Sequence, residues 1–217
     1  MNQYIDHTYL KPEGTIKDIN QLIEEAITHQ FKSVCIQPHF VAHAVSALAT
    51  SDVLVCTVIG FPLGMNTLDA KIYETKKAIQ EGAAEIDMVG TLRYIKEKNY
   101  AAYQAEVAAI KQACGDRVLK VILETGYLSA DEIKNASEAA FSGGADFVKT
   151  STGFGPGQAT VEAIQIMAKV AQGKGVKASG GVRTYDDAKK MIEAGATRIG
   201  TSNGVAIITG QVAKERY

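Results

Sequence analysis

Eight times along this chain a short aliphatic run is followed by a longer segment with helical periodicity, and that alternation limits the fold more than any other feature. The runs are YIDHT (4–8), SVCIQ (33–37), VLVCTVIG (53–60), EIDMVG (85–90), VLKVILET (118–125), DFVKTS (146–151), GVKAS (175–179) and TRIGTS (197–202). Amphipathic segments fill the gaps at roughly 15–30, 38–49, 66–82, 92–113, 129–143, 159–172 and 184–195, and a short last helix starts near Gly204. Units of strand then helix, recurring every ~27 residues, predict a parallel sheet. A single (β/α)8 TIM barrel over residues 1–217 is its natural closed form. A doubly wound open sheet is the alternative, but it would use fewer strands and one marked nucleotide-binding turn. No linker or break in composition predicts a second domain.

Side chains of a strand alternate between its faces, so each run sorts its own residues. Leu119, Val121 and Leu123 oppose Val118, Lys120, Ile122 and Glu124; Ala84, Ile86 and Met88 oppose Glu85 and Asp87. Val148 and Thr150 oppose Phe147, Lys149 and Ser151, and Val176 and Ala178 oppose Lys177 and Ser179. Apolar positions then meet the helices and polar ones face the barrel axis. Glu85, Asp87 and Glu124 would gather there against Lys120, Lys149 and Lys177, three charges of each sign. Buried ion networks do occur without chemistry. Three lysines near the C-terminal ends of consecutive strands, where barrel enzymes place their sites, favour function.

An amine attacks a carbonyl only when neutral. A lysine at pH 7 needs its pKa lowered by ~3 units, or ~4–5 kcal/mol, to be substantially unprotonated. A second ammonium at ~4 Å supplies ~4 kcal/mol at an effective dielectric near 20. Paired lysines in a barrel therefore point to a Schiff-base nucleophile, whose iminium is an electron sink for carbon–carbon cleavage without a metal. Asp87 suits the proton shuttle such chemistry needs. GFGPG (153–157), SGGVRT (179–184) and GTSNG (200–204) follow the last three strands and suit a phosphate bound by backbone N–H groups.

A net charge of −1 without runs of like charge argues against a nucleic-acid or membrane surface. Three cysteines, Cys35, Cys56 and Cys114, make an odd, widely spaced set that predicts a reducing compartment. With no apolar core of a signal peptide near the N-terminus, the expected location is the cytoplasm. His39 and His43 have the spacing of a helical metal pair but no acidic third ligand, and read as an exposed helix face.

The stretches IDHTYLKP, VCIQP, GFPLGMNT, EIDMV, LKVILETGYL, GGADFVKTSTGF, KASGGVRT and RIGTSNG, in this order over the whole chain, resemble the deoxyribose-phosphate aldolases of the shorter bacterial type. The resemblance implies a class I aldolase without metal or organic cofactor. It would cleave 2-deoxy-D-ribose 5-phosphate to D-glyceraldehyde 3-phosphate and acetaldehyde, in deoxyribose catabolism. It implies that Lys149 forms the Schiff base, that Lys177 eases the loss of its proton, and that Asp87 exchanges protons with the substrate hydroxyl. Asp6, Thr8, Cys35, Lys120 and Thr152 would line the pocket; Gly153, Gly180, Gly181, Gly200, Ser202 and Asn203 would hold the phosphate. Tyr217 either reaches back to the site or ends the chain idly, Asp6 either lines the pocket or holds a lysine, and Arg183 either meets the phosphate or caps a loop. The family suggests a homo-oligomer, a dimer first. The chain departs from the pattern at GTLRYIK, after EIDMV, and at Phe154, where some members have a lysine. Two other readings are a phosphate-binding barrel isomerase or synthase, which would use paired carboxylates, and a non-catalytic sugar-phosphate sensor.

Overall fold

The computed structural model describes residues 1–210, and Tyr217 lies outside them. Eight parallel strands close into a barrel in sequence order: β1 (Ile5–Tyr9), β2 (Ser33–Ile36), β3 (Leu54–Ile59), β4 (Glu85–Val89), β5 (Val118–Ile122), β6 (Phe147–Lys149), β7 (Gly175–Ser179) and β8 (Arg198–Thr201). β1 and β8 complete the ring through Asp6 paired with Gly200. The TIM barrel expected from the eightfold alternation is therefore what forms, and the open doubly wound sheet is not.

The helices among the described residues are α1 (Ile16–Thr28), α2 (Val41–Ala47), α3 (Leu68–Gln80), α4 (Leu92–Lys96), α5 (Tyr100–Cys114), α6 (Ala130–Ser142), α7 (Val161–Ala171), α8 (Tyr185–Glu193) and α9 (Gly204–Thr209). Their starts are written locally. Thr15 with Asp18, Ser129 with Glu132, and Thr184 with Asp187 form reciprocal capping boxes that satisfy otherwise orphaned N–H groups. α1 shows the packing rule: Ile19, Leu22, Ile23 and Ala26 recur on one buried face. The single helix expected over 92–113 is two, because Lys98 takes a left-handed φ of 55° and Asn99 caps the second helix at Ala102.

The main apolar core lies between barrel and helices and includes Ile86, Met88, Leu119, Val121, Leu123, Val148, Val176 and Ala178, as alternation required. A separate small cluster of Leu10, Cys35, Cys56 and Val58, capped by Phe61, sits apart from it. The barrel interior is otherwise mostly polar and charged. At one point its packing depends on a missing side chain: a Cβ on Gly175 would lie 2.1 Å from the Phe147 ring of the neighbouring strand.

Candidate active site

Strand register decides which charges meet. Asp87 pairs with Lys120 across β4 and β5, and Lys149 with Lys177 across β6 and β7. The Asp87 carboxylate gathers all three amines: Oδ1 accepts from Lys120 Nζ at 2.7 Å, and Oδ2 from Lys149 and Lys177 Nζ at 2.8 Å each. Asp6 adds a contact of 2.5 Å to Lys177 and accepts from Arg198 at 2.7 Å and from Ser33 Oγ at 2.7 Å. Glu85 lies 2.6 Å from Lys120 and 3.0 Å from Arg198.

Burial would push the Lys177 ammonium down, but Asp6 and Asp87 hold it above the ordinary lysine range. Lys120 is likewise raised against its burial, chiefly by Asp87. Asp87, despite complete burial, is held well below the usual carboxylate range by Lys120, Lys149 and Lys177, and Asp6 is lowered mainly by Lys177.

The membership differs from the sequence expectation in two ways. Arg198 belongs to the ion cluster and Glu124 does not; Asp6 holds Lys177, one of the two readings its sequence allowed. Glu124 stands past the end of β5 in a left-handed conformation (φ 54°), which ends the strand's alternation. Its carboxylate accepts from Thr152 Oγ1 at 2.5 Å, and burial raises its pKa. The lysines are also not simply face to face, since one carboxylate oxygen stands between Lys149 and Lys177.

The cluster joins carboxylates Asp6, Glu85 and Asp87 to cations Lys120, Lys149, Lys177 and Arg198. Lys149 has one carboxylate partner where Lys177 has two and Lys120 three.

Position separates the lysines further. A cavity of about 280 Å³ opens at the C-terminal end of the barrel, and Lys149 lines it; Lys120 and Lys177 are fully buried behind. Thr8, Thr152, Gly153, Gly180, Gly181, Gly200, Ser202 and Asn203 line the same cavity, as expected, and so does Arg183. Asp6, Cys35 and Lys120 lie behind the wall at 0% exposure: the ion network holds Asp6 and Lys120, and Cys35 belongs to the small apolar cluster with Leu10, Cys56 and Val58. Cys35 is lowered by a hydrogen bond from Cys56 against the opposing effect of burial.

The glycine loops form the other wall. Gly180 and Gly181 have φ of 87° and 77°, and a Cβ on Gly181 would lie 2.2 Å from Gln158 Oε1. Thr150 ties the loop after β6 to β7, donating to Ser179 O at 2.9 Å and accepting from Ser179 N at 3.0 Å. Phe154 stays at the rim, 44% exposed, edge-on to Phe61 at 5.4 Å. His43 pairs with Asn20 at 2.7 Å, away from any acidic partner set.

The strand alternation contained the signal for Arg198: in RIGTS, residues 198, 200 and 202 share a face, and Gly200 and Ser202 line the cavity. The buried pair of Lys71 and Glu106, at 2.8 Å between α3 and α5, carried no such signal, because helix faces do not reveal which charges turn inward.

Residues 1–210 match the family model described as DeoC/LacD family aldolase. Over 218 residues the chain is 52% identical to the deoxyribose-phosphate aldolase of Streptococcus sanguinis, with 100% of this chain and 99% of that protein covered. Its likeness to the corresponding protein of Macrococcus caseolyticus is 54% over 216 residues, covering 99% of this chain and 98% of that one. The solved tetrameric deoxyribose phosphate aldolase from Aeropyrum pernix has the same fold, with a TM-score of 0.88 at 32% identity, covering 96% of this chain and 89% of that chain.

Proposed function

Since this chain belongs to the DeoC/LacD family of aldolases and is a lyase, we propose that it cleaves 2-deoxy-D-ribose 5-phosphate to D-glyceraldehyde 3-phosphate and acetaldehyde through a Schiff base on Lys149. The observation that supports this reading is the position of Lys149: the cluster's cavity-lining amine, 2.8 Å from a carboxylate shared with a second lysine whose charge Asp6 and Asp87 favour.

Neutral Lys149 Nζ adds to the C1 aldehyde of the open sugar, and the carbinolamine takes a proton from Lys177 and loses water to give a protonated imine. Asp87, through a water, accepts the proton of the C3 hydroxyl. The C3–O electrons form the new carbonyl, the C2–C3 bond breaks, and its electron pair moves toward the iminium nitrogen. D-glyceraldehyde 3-phosphate leaves with an enamine still on Lys149. Protonation of C2 and hydrolysis then release acetaldehyde and the amine. The proton on Asp87 serves C2, the proton freed by iminium hydrolysis restores Lys177, and the charge of Lys177 favours a neutral Lys149 before the next attack. The phosphate lies against the backbone N–H groups of Gly180, Gly181 and residues 200–203, with Arg183 as a nearby cation.

Self-association is part of the proposal, since the Aeropyrum pernix relative is described as tetrameric. We place the enzyme in the cytoplasm, where its three free, buried cysteines would stay reduced. Among the described residues no helix is long and apolar enough to cross a membrane.

The test is chemical trapping. The protein is treated with acetaldehyde and borohydride, and peptides are mapped by mass spectrometry. A reduced two-carbon adduct on Lys149, absent from Lys149→Leu, is expected. An adduct on a different lysine overturns the residue assignment, and no adduct overturns covalent catalysis.

A further inference from the structure

Behind the lysines lie two thiols that the aldol chemistry does not use, beside the one carboxylate that it does. Cys35 and Cys56 are directly opposed in register on β2 and β3, and both belong to the small cluster that sits apart from the main core. Cys56 Sγ is 3.1 Å from Asp87 Oδ1. The two sulfurs and a carboxylate oxygen of Asp87 all lie within 4.8 Å of one another. Donors bound tetrahedrally to one ion at ~2.0–2.3 Å stand about 3.3–3.8 Å apart, so a closure of about 1–1.5 Å at most gathers this set around a single cation.

We propose that Cys35, Cys56 and Asp87 form an inhibitory site for one thiophilic divalent cation, of the class of Zn²⁺ or Cd²⁺. Two sulfurs and one carboxylate select soft or borderline ions over Mg²⁺ and Ca²⁺, and three protein donors leave a fourth position open. The surrounding ammoniums do not forbid the ion, because binding is an exchange: M²⁺ enters, two S–M bonds form, and the two thiol protons leave to solvent. The net charge of the cluster is unchanged. Lys120, which donates to both Asp87 Oδ1 and Cys56 Sγ, gives up those contacts and keeps Glu85 at 2.6 Å and Asp6 at 3.6 Å. Asp87 lies one side chain from the cavity, through Lys149, so the ion enters by the substrate's own mouth. Once bound, it holds the carboxylate that the proposed reaction needs for proton transfer. That inhibitory consequence rests on the function proposed above, whereas binding does not.

The probe is Cd²⁺ alone, added to reduced full-length protein and followed by thiolate-to-metal charge-transfer absorbance. Saturation at one ion per chain is expected, with two protons released per ion, measured by calorimetry in buffers of different ionisation enthalpy. The band should vanish in Cys35→Ser and in Cys56→Ser and persist in Cys114→Ser. Retro-aldol turnover should fall by about a hundredfold or more, the usual worth of a positioned proton-transfer group, and return on chelation. Mg²⁺ should change neither signal. No charge-transfer band, a band lost with Cys114, or fewer than two protons released overturns the site, and the proton count decides it even if the serine variants unfold. A bound ion that leaves turnover intact overturns its placement on Asp87, while the borohydride adduct on Lys149 reports separately on the aldolase reading.

Discussion

Replacing Asp87 with asparagine removes the one group that touches all three interior lysines, and the structure allows its cost to be worked out. Three ammonium contacts at 2.7, 2.8 and 2.8 Å are lost. Each is worth about 6 kcal/mol of attraction at an effective dielectric near 20, before desolvation is counted. The net loss is far smaller, because a buried carboxylate costs several kcal/mol to dehydrate and asparagine avoids that cost. The lysines also have other recourse. Lys120 retains Glu85, Lys177 retains Asp6, and Lys149 reaches the open cavity. Breaking a buried pair typically costs 3–5 kcal/mol, and these compensations set Asp87→Asn near the lower end, about 3 kcal/mol. That corresponds to a fall in Tm of roughly 6–12 °C for a chain of this size.

The pH dependence has a definite sign. Asp87 is held well below its unfolded value of about 3.9, so its contribution is fully present above that pH. It is lost as pH falls from about 4 toward the folded value. Urea unfolding followed by circular dichroism, at pH 7 and at pH 3, should therefore show a gap between wild type and variant that is largest at pH 7 and narrower at pH 3. A gap under about 1 kcal/mol at neutral pH, or one that is the same at both pH values, would refute the claim that Asp87 holds the cluster together as an ionised group.

Two further outcomes follow from separate parts of the molecule. Lys71→Met strands the Glu106 carboxylate with only Thr91 N and Oγ1 as partners; it should destabilise by about 3 kcal/mol in urea melts, and Glu106→Leu in the same chain should recover part of the loss. Gly181→Ala strains a φ of 77° and drives a Cβ against Gln158, so KM for the phosphorylated sugar should rise about tenfold or more while turnover of unphosphorylated 2-deoxyribose changes little.

What could be seen in the sequence was what period and alternation encode. Eight aliphatic runs gave the number and order of strands, and the period of two sent Asp87, Lys120, Lys149 and Lys177 to the axis. Alternation works only while the strand lasts. Glu124 was misplaced because the backbone turns left-handed just before it could face inward. The split between α4 and α5 was hidden in one residue, Lys98, whose positive φ no apolar pattern records. Depth was also invisible: period tells which face a residue occupies but not its height along the axis. Asp6, Cys35 and Lys120 therefore looked like wall residues, although they lie behind the wall.

Access to the cavity and the number of carboxylates around the amine distinguish three chemically identical side chains, since Lys149 and Lys177 are paired at one register. Lys120 lies deep, among three carboxylates and without access to the cavity. Lys177 has two carboxylates and is equally closed off. Lys149 has one, at the cavity wall, on a strand only three residues long that ends at the lysine itself and releases the chain into the glycine loop. Moving the amine one residue either way along the chain would turn it to the opposite face, since side chains alternate, and Val148 and Thr150 are both fully buried. The last position of β6 is where a neighbouring ammonium and the open cavity coincide, and the Schiff base proposed above needs both.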